Sequence, residues 1–130
     1  MKPAMVATLG LLIAAGPAFA HHPFDSEFDV QAPVTLTGMV TTLDWTDPHV
    51  VIHVDVKDTS GQTRNWNLET GSLAEMEKNG WTKTTLKQGD QITVQGYRAK
   101  SEPYVASARM IELPGRKKLS SAASDGGPQK

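Results

Sequence analysis

Between His49 and Lys57 the chain alternates with a period of two. Val50, Ile52, Val54 and Val56 fall on one side, and His49, Val51, His53 and Asp55 on the other. That pattern predicts a half-buried β-strand, and the flanking residues extend it into a sheet. Asp58-Thr59-Ser60-Gly61 is a hairpin turn, after which Arg64 to Glu69 returns as a third strand with Trp66 and Leu68 on one face. Ahead of it, residues from about Val34 to Trp45 form a threonine-rich first strand, and Gly38 in its middle marks a bulge or tight bend. Thr46-Asp47-Pro48 turns the chain between the two.

The third strand is followed by a short helix. Ser72 and Glu75 have the spacing of a capping box, Leu73 and Met76 share a face, and Asn79-Gly80 ends the element. Trp81 is expected to pack under it. Leu86-Lys87-Gln88-Gly89-Asp90 turns into a fourth strand with Ile92, Val94 and Gly96 inward. A fifth strand, from about Tyr104 to Leu113, places Ala106, Ala108 and Met110 on one face. From Pro114 the composition turns to Gly, Ser, Ala and Lys without periodicity, which predicts a disordered tail over 114–130. Strand, strand, strand, helix, strand, strand is the order of an OB-like Greek-key barrel, so the expected class is all-β with one short helix. A plain five-stranded antiparallel sheet with a helix is the rival.

The first twenty residues read differently. Lys2 is a positive n-region, Ala4 to Ala15 is an uncharged apolar run, Gly16-Pro17 breaks it, and Ala18-Phe19-Ala20 is a small-x-small cleavage pattern. A membrane-spanning helix needs roughly 20 apolar residues, more than this run supplies. The expectation is a signal peptide over 1–20, cut between Ala20 and His21. The mature protein is then periplasmic or secreted and has no stable membrane anchor. Cleavage leaves 110 of the 130 residues: an arm over 21–33 anchored by Phe24 and Phe28, a barrel domain over 34–113, and the tail. Lys2 leaves with the peptide, so 12 basic residues face 14 acidic ones, a balance that gives no footprint for nucleic acid. The chain has no cysteine, so thiolate catalysis, Cys-type zinc sites and iron–sulfur clusters are excluded and packing alone must hold the fold.

His21-His22-x-Phe24, Trp45-Thr46-Asp47-Pro48-His49, Gly80-Trp81, Leu86-x-x-Gly89-Asp90 and the strand ending at Gly96 together carry a resemblance. Over roughly residues 21–113 the chain resembles a family of small exported bacterial proteins catalogued as a domain of unknown function. Members of that family usually have Asn-Pro-His where this chain has Asp47-Pro48-His49, and the same turn remains possible. The resemblance implies an exported compartment and a barrel, and no known reaction. The layout is more remotely similar to periplasmic OB-fold stress proteins.

The candidate chemistry rests on four histidines. Cleavage after Ala20 would place His21 at a free N-terminus, where the α-amine and the ring can chelate copper together as a histidine brace. His22, His49 or His53 would add an imidazole, which suits copper, zinc or nickel. The competing reading is a solvated arm whose histidines touch nothing. His49 and His53 share a strand face but lie roughly 13 Å apart along it. Bonds of about 2 Å to one ion do not span that gap, so at most one of them joins His21 or His22. Asp47-Pro48-His49 also has a purely structural reading as a turn. No nucleophile elbow, His-Glu-x-x-His pair or phosphate-cradling glycine loop occurs, so the expectation is a non-catalytic module. It would bind a small ligand or a periplasmic protein through a face bearing Trp45, His49 and His53. Trp45, Trp66, Trp81, Tyr97 and Tyr104 are read as core first and as stacking surfaces second.

Overall fold

The computed structural model describes residues 23–129. The expected signal peptide, its cleavage point at Ala20–His21, and both His21 and His22 lie outside the described residues. Six strands and two short helices follow: α1 (Phe24–Glu27), β1 (Phe28–Asp44), β2 (Val51–Lys57), β3 (Thr63–Glu69), α2 (Leu73–Lys78), β4 (Gln91–Ala99), β5 (Val105–Glu112) and β6 (Lys118–Ser120).

The strand order is β3-β2-β1-β4-β5-β6, antiparallel throughout, and β3 also pairs in parallel with β5. That last pairing rolls the sheet around on itself and rules out the open-sheet rival. Closure rests on three pairs, Asn67 with Val105, Leu68 with Ala106 and Glu69 with Ser107, so the result is a rolled sheet with a short seam. Strand β1 serves both halves: residues up to Met39 pair with β4, and residues from Met39 onward pair with β2. The expected bend at Gly38 lies at this handover. A Cβ there would sit 2.4 Å from the Asp55 carbonyl oxygen, so only glycine allows the strands to approach.

The inward faces of β2, β3 and β4 match the alternation in the sequence: Ile52, Val54, Trp66, Leu68, Ile92 and Val94 are all buried. Strand β5 departs from it. Gln95 pairs with Met110 and Gly96 with Ala108, so Arg109 is an extra residue in a bulge. Beyond the bulge the phase flips, and Ile111 is fully buried while Met110 is only half-buried. Helix α2 sits at the end of the roll where β3 finishes, bringing Met76, with Trp81 just beyond it, into the core.

Two expectations about the ends are corrected. The arm forms α1, and β1 begins at Phe28, although Phe24 and Phe28 are buried as the expected anchors. From Pro114 to Gln129 the chain is ordered. Strand β6 pairs with β5, and Ser121, Ala122 and Ala123 are buried. Low hydropathy misleads here because the space is small. The Trp81 indole donates to the Ser120 carbonyl, Ser121 N–H to Arg109, the Ser121 hydroxyl to Ala108 and Ser124 N–H to the Glu75 carboxylate. Small polar residues fill this slot by hydrogen bonding where larger apolar ones would not fit.

Candidate functional site

The loop carrying Asp47-Pro48-His49 is set by the helix. The Asp47 carboxylate accepts the N–H of Leu73, Ser72 and Glu75 form the expected reciprocal box, and these contacts satisfy three N–H groups at the helix start. Asp47 therefore caps α2, and does more than close its own turn. Val50 N–H bonds to the Gly71 carbonyl, which locks His49 beside the end of β3. His49 Nδ1 donates to the Thr70 carbonyl at 2.8 Å, directing Nε2 at the Glu69 carboxylate 3.3 Å away. Burial pushes the Glu69 carboxyl above its ordinary range. Glu27 and Asp125 act in the same direction, while His49 and Arg109 oppose them.

Further along the same face, His53 has both ring nitrogens engaged, Nδ1 with Asn67 at 2.7 Å and Nε2 with Asp44 at 2.8 Å. Trp45 is partly buried against the core. The face that the sequence assigns to ligand binding thus carries one histidine bound between two side chains, one tied to the backbone, and a packed tryptophan. Among the described residues, no three His, Asp or Glu side chains are grouped so as to hold a metal ion.

A second cluster went unread in the sequence. Arg109 is buried, and Asp125 accepts from its Nη2 through both carboxylate oxygens at 2.9 and 3.0 Å. The Phe24 ring lies 4.6 Å from the guanidinium carbon, and Phe24 N–H donates to the Asp125 carbonyl. Arm and tail are therefore clasped together at Arg109 of β5. An arginine inside an apolar strand was the available signal, but a regular period placed it on the outside.

The third cluster is the mouth of the roll, at the end away from α2. Here the inward alternation runs into charge: Arg64 precedes Trp66 and Leu68 on β3, and Arg98 follows Gly96 on β4. Together with Leu36, Val56 and Tyr104 they line an open groove of about 470 Å³. The Arg98 guanidinium carbon lies 4.9 Å from the Trp66 ring centroid, Arg64 lies 5.5 Å from Tyr104, and the two rings meet edge to face at 5.6 Å. Arg64 donates to Asp58 and Gln62, whereas Arg98 donates no hydrogen bond among the described residues. Asp58 is committed to its own turn, and hydrogen bonding, foremost from the Ser60 hydroxyl, holds its carboxyl below the usual range.

A model for a family of unknown function, DUF6152, matches residues 8–105. The chain belongs to that family. The DUF6152 match takes in His49, His53, Trp66, Arg98 and Tyr104, and stops before Arg109 and β6. No curated protein and no solved structure matches the chain.

Proposed function

We propose that this DUF6152 protein is an exported, non-catalytic module that binds a small ligand in the mouth of its rolled sheet. The carrying observation is the meeting of two inward-facing arginines and two aromatic rings over an apolar floor in one open groove. Mouths of barrels are common ligand sites because the strands hold the lining rigidly. The groove supports this reading better than the outer face of β2, where His49 and His53 are held by their neighbours. A fragment screen followed by amide NMR tests it. Hits should cluster on Trp66, Arg98 and Tyr104; a complete screen whose hits all map elsewhere refutes the site. The signal over 1–20 is tested separately, by the mass and location of the protein in the producing cell.

A second reading, a copper protein using His21, His22 and His49, is favoured by one observation. The Nδ1–H of His49 is oriented by the Thr70 carbonyl, as in ligating histidines. Titration of Cu(II) into the chain beginning at His21 checks it. Tight binding that is lost when one residue precedes His21 supports a brace, and binding unchanged by that residue excludes it.

A further inference from the structure

We infer that the ligand group held in the mouth is an oxyanion, a carboxylate or phosphate carried by a small molecule, gripped by Arg98. This rests on the mouth being the binding site proposed above. The Arg98 guanidinium lies over the Trp66 ring and donates no hydrogen bond among the described residues, so its donors are unused. A guanidinium edge carries parallel N–H donors, a geometry that matches carboxylate and phosphate oxygens two at a time.

Charge in the groove points the same way. Arg64 and Arg98 face a single carboxylate, that of Asp58, which Arg64 and the turn already engage. The positive charge of Arg98 is thus left uncompensated beside the apolar walls of Leu36 and Val56, which focus the field into the opening. Arginines at a rim also shield the end of a core with their stems, and a lysine at 98 would do that equally well. The oxyanion assignment predicts that it does not substitute equally.

Sodium phosphate, sodium benzoate and neutral benzyl alcohol, each titrated at constant ionic strength into the full exported chain, separate the cases by NMR. Phosphate or benzoate should give saturable shifts at the Arg98 Nε–H and the Trp66 indole. Arg98→Gln should weaken that binding about tenfold or more, with Arg98→Lys in between. The ratio of the two affinities identifies the source of the oxyanion. Arg98 is exposed, so neither variant opens an interior cavity, and unchanged amide dispersion verifies the fold. No saturable shift with either anion, or equal affinity in Arg98→Gln, overturns the inference. If benzyl alcohol alone saturates the same signals, the mouth stands as a binding site and the oxyanion falls. If nothing perturbs the mouth, both fall.

Discussion

Replacing Asp125 by Asn tests whether the C-terminal segment is part of the fold. The Arg109 side chain is 1% exposed and Asp125 9% exposed, so the charge that the carboxylate neutralises has almost no access to water. Removing one partner of such a pair costs about 3–5 kcal/mol, because the survivor is left as an uncompensated buried charge. Asn retains one carbonyl acceptor, which places the expected loss near the lower end, about 3 kcal/mol. For a domain of this size that corresponds to a drop of roughly 15 °C in Tm. Urea unfolding at pH 7 measures it, and high salt should change the result little, since buried pairs are poorly screened. Arg109→Met combined with Asp125→Asn should recover much of the loss, because no buried charge remains. A loss below about 1 kcal/mol for Asp125→Asn, the value of an exposed pair, would mean that the tail is loose and the clasp does not form.

Ser72→Ala removes the hydroxyl that accepts Glu75 N–H and should cost about 1 kcal/mol, read by the same unfolding curve. Gly96→Ala places a methyl group 2.0 Å from the Ser107 carbonyl oxygen, so β4 and β5 must separate; the variant should be recovered unfolded or with its Tm sharply lowered. Glu69 and Glu75 should shift the pH dependence in opposite senses. The folded Glu69 carboxyl is raised, so the folded state holds its proton longer and stability falls as pH rises through and above about 4.5; Glu69→Gln should flatten that decline. At Glu75 burial raises the carboxyl, but hydrogen bonds from Ser72 and Ser124 outweigh it and the net shift is downward. Its contribution is therefore present above its unfolded pKa and lost as pH falls through the lowered folded one. The deficit of Glu75→Ala should be largest at neutral pH and vanish in acid, as measured by denaturation at several pH values.

Much of the roll is legible in the residues. The alternation of Val50 to Val56 and the Ser72–Glu75 spacing are local signals, and local signals survive folding. The first miss is long-range. The bulge at Arg109 arises where β4 and β5 fall out of step, and nothing within β5 alone announces it. The tail failed for a related reason: Ser121, Ala122 and Ala123 look like linker residues until α2 and β5 define a slot of their size. The mouth was half legible. Continuing the inward pattern one step past Trp66 and Gly96 leads to Arg64 and Arg98, but a period says which way a side chain points, and only the shape shows that the roll is open there. The histidines were legible as residues and not as partners, since Asp44, Asn67 and Thr70 reach them from other parts of the chain.

The bond between Phe24 N–H and the Asp125 carbonyl has a consequence for the order of assembly. It joins residue 24 to residue 125, so its closing entropy is among the largest of the contacts between described residues. Until residue 125 is available, Arg109 has no counter-ion, and β5 cannot settle against its neighbours without stranding a charge. Completion of the native state therefore waits on the segment that carries Asp125.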